Sequence, residues 1–133
     1  MNILKGTISH VDSSRHTSLV EIDVNGDLFS VVLLETAHTN SCLKENGKVS
    51  LMFKETEVFF NRNKEDTSSI LNQFWSKVAS IQKGVVLSEI SFEYQKNLLR
   101  AIIPTKSLNK IKLKIGEEIV WCIKVNEITL RWE

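Results

Sequence analysis

The chain has 133 residues, of which 42% are hydrophobic and 25% are charged, a composition typical of a folded globular protein and not of a disordered or membrane-embedded one. No uninterrupted apolar stretch approaches the roughly 20 residues that span a bilayer, and the N-terminus lacks the pattern of a secretory signal. We therefore expect a cytoplasmic protein without membrane contact. The net charge of +1 hides an asymmetry, because residues 1–66 carry seven basic and ten acidic side chains while residues 67–133 carry ten and six.

The first half of the chain predicts a small β-domain. Alternating or continuous apolar residues predict five strands, and Asn25-Gly26 predicts a tight hairpin because both of its residues tolerate positive φ. The period of two is lost after residue 34, where Thr36 as an N-cap and Gly47 beyond the end predict a short helix. The predicted strands are residues 4–11, 18–24, 28–34, 49–54 and 58–61.

The second half repeats this order. The segment Phe53 to Val58 and the segment Ile123 to Ile128 share the pattern apolar, Lys, any residue, polar, Glu, apolar, which indicates a duplication. The polar residues 62–69 predict a linker between a first domain, residues 1–61, and a second, residues 70–133. The predicted elements of the second copy are strands 74–81, 85–92, 98–103, 119–124 and 128–132 and a helical turn at 105–108.

Five short strands with one helical piece between the third and the fourth are the order expected of a small, partly open Greek-key barrel of the OB type. The predicted fold class is therefore mainly all-β, with two tandem OB-like five-stranded barrels that each carry one short helix. Trp75, Trp121 and Trp132 lie on or beside strands of the second copy, where core or barrel-to-barrel packing is the expected role of a large aromatic side chain.

Few residue patterns suggest chemistry. Cys42 and Cys122 have no metal-ligand spacing, so we expect buried or half-buried thiols and no disulfide. The three histidines show no metal-site spacing, and the chain has neither a Ser/His/Asp set nor a phosphate-cradling glycine loop. We expect neither a metal site nor an enzyme.

Several segments of both copies resemble the Mop, or molbindin, domain, which is related to the TOBE domain. The resemblance is clearest at Phe53-Lys54-Glu55-Thr56-Glu57-Val58 and extends, in the same order in both copies, over nearly the whole chain as a tandem di-Mop arrangement. Further matching segments are Asn2 to Ile8, Val31 to Thr36, Ser69 to Asn72, Val86 to Ile90, Ala101 to Thr105 and Lys124 to Ile128.

The resemblance implies binding of molybdate or tungstate at interfaces between barrels, for storage, homeostasis or sensing, without an organic cofactor. It also implies a homo-oligomer. The family's arginine position is occupied by Leu71. The first copy begins at Met1-Asn2, so we expect it to lack the family's entry segment and one set of sites to be weak or missing. The oxyanion-binding residues implied by the family pattern are Lys54, Thr56, Ser69, Asn72, Thr105, Ser107, Lys124 and Asn126.

A tetrahedral dianion offers only acceptors, so hydroxyls, amides and a lysine are the side chains that suit it. If only one of Lys54 and Lys124 holds an anion, we expect it to be Lys54, together with Ser69.

Two alternative functions stay open. A tandem OB protein that binds single-stranded nucleic acid fits the lysines between residues 106 and 114, although the acidic first copy makes nucleic acid the weaker expectation. The sensing part of a molybdate-responsive transcription regulator would need a DNA-binding domain that this chain does not contain.

Overall fold

A computed structural model describes all 133 residues, and it is built mainly of strands. The strands form two five-stranded sheets. The elements are β1 (Asn2–Ser14), β2 (Thr17–Val24), β3 (Asp27–Leu33), β4 (Lys48–Phe53), a 3-10 turn (Glu55–Glu57), β5 (Phe59–Asn61), β6 (Asn72–Gln82), β7 (Leu87–Tyr94), β8 (Asn97–Pro104), α1 (Thr105–Ile111), β9 (Glu118–Ile123) and β10 (Thr129–Trp132).

The two sheets have the same internal order. The first runs β10-β4-β1-β2-β3 and the second β5-β9-β6-β7-β8, so each copy contributes a meander of three long strands and a fourth strand that returns beside the first. The predicted class, two OB-like barrel-type units of mainly β structure, is confirmed.

The short fifth strands are exchanged between the two copies. Phe60 of β5 pairs with Trp121 of β9, and Leu130 of β10 pairs with Leu51 of β4. The chain consequently divides into a first unit (residues 1, 3–53 and 124–133) and a second unit (residues 2 and 54–123). These bounds differ from the division predicted at residues 61 and 70. Both repeats end in a short strand of similar pattern, and the pattern does not indicate which sheet each strand joins.

Both hairpins between the second and third strands use two-residue turns. Asn25 and Gly26 have φ of +49° and +98°, and the Gly26 N–H donates to Asp23 Oδ1 at 2.7 Å. Gln95 and Lys96 adopt the same left-handed geometry with φ of +50° and +68°, although neither is a glycine. The hairpin predicted from Asn25-Gly26 is therefore correct. The second hairpin has no Asn-Gly pair, and its flanking strands determine the same type of turn.

The two units differ between their third and fourth strands. The second unit contains α1, which covers and extends the predicted 105–108 turn. The helix predicted in the first unit is absent, because Thr39 and Asn40 N–H groups both donate to the Thr36 carbonyl and the turn does not propagate. Thr39 Oγ1 and Asn40 Oδ1 instead bond the backbone at Thr36 and Cys42. Such local side-chain bonds compete with helix formation.

The second unit has an aromatic core. Trp121 is fully buried and its ring lies between 5.2 and 5.5 Å, centre to centre, from the rings of Phe74, Phe92 and Tyr94. The prediction for the three tryptophans was core or barrel-to-barrel packing. Core packing holds for Trp121, whereas Trp75 is 45% exposed. The first unit is filled mainly by aliphatic side chains. None of the helices has the length and apolar character needed to cross a membrane.

Candidate functional site

The second unit contains a cleft of about 670 Å³. Its sheet begins at β5 and ends at β8, and residues of both edge strands line the cleft together with α1 and the 3-10 turn. Because the barrel is partly open at these edges, a groove remains where a closed barrel would continue its hydrogen bonds. The lining residues are Thr56, Val58, Phe59, Phe60, Asn61, Arg62, Ile102, Ile103, Pro104, Ser107, Lys110 and Ile111.

Two predicted site residues meet at this cleft. Thr56 comes from the 3-10 turn after β4, and Ser107 comes from the first turn of α1. Both are exposed residues and both line the cleft. Their hydroxyls can each donate one hydrogen bond, so two chain segments far apart in sequence offer donors to the same groove.

Two cationic residues of the cleft were not among the predicted site residues. Lys110 lies on α1 three positions after Ser107, so the two side chains share a helix face. Arg62 follows β5 directly and fell in the predicted linker. The i, i+3 spacing from Ser107 is the signal that identifies Lys110. No comparable signal existed for Arg62, because its place depends on β5 joining the second sheet.

Arg62 is held in place by the end of α1. Its Nη1 donates to Glu117 Oε2 at 2.7 Å, and its Nη2 donates to the carbonyls of Ile111 and Lys112, the latter at 3.0 Å. These carbonyls are among the groups that a helix leaves unpaired at its C-terminus, and a guanidinium there also suits the helix dipole. The hydrogen bond from Arg62 lowers the pKa of Glu117 below its usual value.

Thr105 has an internal role in the second unit. Its hydroxyl donates to the Gly84 carbonyl at 2.9 Å and lies 2.7 Å from the Ser88 hydroxyl, while its N–H donates to the Val86 carbonyl. The side chain is buried. Thr105 therefore joins the start of α1 to the loop before β7, and its own hydroxyl hydrogen is already used.

The remaining predicted residues of the second unit lie outside the lining of the cleft. Lys54 is exposed, precedes the 3-10 turn and lies outside the lining of the cleft. Ser69 is exposed in the segment before β6. Asn72 is fully buried as the first residue of β6, opposite Ile123. The structure thus brings Thr56 and Ser107 to one cleft and leaves Lys54, Ser69 and Asn72 outside its lining.

Lys124 and Asn126 belong to the first unit because they follow β9 on the way to β10. Both side chains are exposed. The turn that carries them is fixed by a hydrogen bond from the Val32 N–H of β3 to the Val125 carbonyl at 3.0 Å. This turn is the counterpart of the segment around Lys54 and Thr56, so the duplicated lysines end up in different units.

The cysteines differ in environment, and neither forms a disulfide. Cys122 is fully buried in β9, and this burial raises the pKa of its thiol to about 11. Cys42 is exposed, so the prediction that it is buried or half-buried is wrong. It lies in the irregular turns that replace the predicted helix of the first unit.

No protein-family model and no curated protein matches the chain. Solved structures do match it. A crystal structure of ModG, described as a cytoplasmic molybdate-binding protein, was determined with molybdate bound and superposes on this chain with a TM-score of 0.89. The two chains are 23% identical, and the match covers 99% of this chain and 96% of ModG. At this identity the comparison establishes a shared fold over essentially the full length of both chains.

Proposed function

We propose that this protein is a cytoplasmic oxyanion-binding protein of the Mop type, which binds molybdate or tungstate for storage, homeostasis or sensing and catalyses no reaction. The observation that carries the proposal is the agreement in fold with ModG over the whole chain. ModG is a binding protein, and the segments that resemble the Mop family recur in both copies of this sequence.

The second-unit cleft supports anion binding in particular. It presents the hydroxyls of Thr56 and Ser107 and the cations of Arg62 and Lys110, and none of its lining residues is an aspartate or a glutamate. A molybdate or tungstate dianion needs donors only, and bonds from charged donors are about twice as strong as neutral ones. Hydrogen phosphate would bring a proton for which the lining of the cleft offers no carboxylate acceptor.

Lys54 and Ser69, and Lys124 with Asn126 in the first unit, are proposed to bind oxyanions in sites completed by a second copy of the chain, whereas the fully buried Asn72 is not accessible to such a site. Exposed lysines and hydroxyls that lie outside the cleft suit such shared sites. Exposed apolar residues support self-association, because Val85, Val86 and Leu87 are consecutive and exposed. A homo-oligomer is therefore part of the proposal, and sedimentation equilibrium with and without molybdate measures it.

Isothermal titration of the full chain with molybdate, tungstate, sulfate and phosphate tests the function. We expect saturable heat with the first two anions at micromolar protein and none with phosphate. Absence of heat with both molybdate and tungstate would rule out the proposed function.

Two lysine variants test which segment binds. Loss of a charged donor from an anion costs about 1.5 to 3 kcal/mol, which corresponds to a loss of affinity of roughly tenfold or more. We expect Lys54→Ala to weaken tungstate binding by this amount and Lys124→Ala to have the smaller effect. Lys64→Ala is the matched control, since Lys64 is an exposed lysine in the polar segment after β5. Equal tungstate affinities in all three variants would show that neither Lys54 nor Lys124 contacts the anion.

A further inference from the structure

The second-unit cleft has an apolar wall that an inorganic oxyanion does not use. Phe59 is 37% exposed although it is a phenylalanine, and Ile102, Pro104 and Ile111 are also partly or fully exposed along the same groove. A tetrahedral oxyanion has no apolar surface to place against these side chains. Burying apolar surface of a ligand, by contrast, is favourable in proportion to the area removed from water.

The size of the cleft also exceeds the need of an oxyanion. Its volume of about 670 Å³ is equivalent to roughly twenty water molecules at their volume in the liquid, whereas molybdate has five heavy atoms. Pockets of roughly 300 to 1,000 Å³ with mostly apolar walls and a few polar groups are typical of sites for small organic molecules.

The polar groups of the cleft define the charge of such a ligand. Lys110 and Ser107 lie on one face of α1, Thr56 and Arg62 add further donors, and no carboxylate lines the groove. Arg62 is already bonded to Glu117, so Lys110 is the cation with the most freedom to meet a ligand. An anionic group at the α1 end and an apolar body along Phe59 and Ile102 match this arrangement.

We infer that the cleft between β5 and β8 binds a small organic anion, an aromatic carboxylate or sulfonate, whose charged group pairs with Lys110 and whose ring lies against Phe59 and Ile102. This goes beyond the proposed molybdate or tungstate binding and does not depend on it. The two share the hydroxyls of Thr56 and Ser107, so the organic anion and an oxyanion held at those hydroxyls would compete.

The test uses 8-anilinonaphthalene-1-sulfonate, an aromatic sulfonate that fluoresces when its ring leaves water, titrated into the full-length protein. We expect one saturable site per chain. Lys110→Ala should raise the Kd about tenfold, as expected when a charge-assisted contact is removed. Lys106→Ala, which removes a lysine one helical turn earlier and outside the cleft, should leave the Kd within twofold of wild type.

Two further controls locate the probe and identify its charge requirement. Val85→Ser removes an exposed apolar side chain outside the cleft and should not change the Kd. Naphthalene-2-carboxylate should displace the probe, whereas the isosteric neutral naphthalene-2-carboxamide should not. Lack of saturable binding, an unchanged Kd in Lys110→Ala, or equal displacement by the amide would each overturn the inference. Molybdate titration reports separately on the proposed function, so either can fail while the other stands.

Discussion

Leu130, in the last strand of the chain, lies directly opposite Leu51 in an antiparallel pair. Both neighbours of this pair continue the ladder, since Thr129 faces Met52 and Arg131 faces Ser50. Ser50 also donates through its hydroxyl to Glu133 Oε1 at 2.8 Å. The C-terminal residues are therefore structural parts of the first unit, which is otherwise built by residues 1 and 3–53.

Removing residues 127–133 should unfold the first unit while the second retains its structure. The truncation deletes β10, removes the buried side chain of Ile128 and unpairs four residues of β4. Hydrogen exchange should show lost protection in β1 to β4 and retained protection in β6 to β9. Arg131→Ala, which removes an exposed side chain and leaves the strand, is the control. Protection lost throughout β6 to β9 would contradict two units with separate cores.

Local sequence patterns predicted most of the fold. All ten strands were predicted, because a strand and a tight turn leave local patterns in the sequence. Examples are the alternation of apolar residues from Leu19 to Val24 and the Asn25-Gly26 turn. The exchange of β5 and β10 was not predictable in the same way. Phe60 could pack in either core by its pattern, and it packs edge-on to Phe92, 5.4 Å between ring centres, as a result of tertiary structure alone.

The candidate site was also predictable only as far as local sequence patterns indicate it. Thr56 and Ser107 were identified through the family resemblance, and the structure places both at one cleft. Arg62 looked like a linker residue because its neighbours are polar, and its position beside Glu117 follows from the exchanged strand. Thr105 was grouped with Ser107 because the family pattern places small polar residues after the third strand, although residues two positions apart at the start of a helix point in different directions.

Arg62→Ala should lower the stability of the protein by about 1 kcal/mol at neutral pH, the upper range for a partly exposed ion pair. The effect should shrink in acid. The Arg62 hydrogen bond lowers the pKa of Glu117 in the folded state, so the contribution of the pair is present above the unfolded-state pKa of Glu117 and is lost as pH falls through its folded-state pKa.

Urea unfolding of wild type, Arg62→Ala, Glu117→Gln and the double variant at pH 7 and pH 3 measures this pair. The coupling free energy from the double-mutant cycle should be larger at pH 7. Lys64→Ala, two residues along the chain, controls for loss of a positive charge. A coupling energy that is the same at both pH values would show that the carboxylate charge does not contribute.

The two thiols should react at very different rates. Cys42 is exposed, whereas Cys122 is buried and its thiol pKa is raised to about 11, so its nucleophilic thiolate is scarce at pH 8. A disulfide reagent such as dithionitrobenzoate should modify one thiol quickly in the folded protein and the second only after unfolding. Cys42→Ser should abolish the fast phase and Cys122→Ser should keep it. Two equally fast thiols in the native protein would contradict the burial of Cys122.

Thr105 and Ser107 provide a comparison of a structural hydroxyl with one that we propose to bind the oxyanion. Thr105→Val keeps the shape of a buried side chain but removes the bond to the Gly84 carbonyl and leaves Ser88 without its partner hydroxyl, which should cost about 1 to 3 kcal/mol of stability. Ser107→Ala alters an exposed side chain at the cleft and should change stability by less than about 0.5 kcal/mol. The effect of Ser107→Ala should appear instead as weaker tungstate binding.

Urea unfolding and tungstate titration of both variants separate the two roles. A stability loss in Ser107→Ala as large as that in Thr105→Val would show that Ser107 also supports the fold.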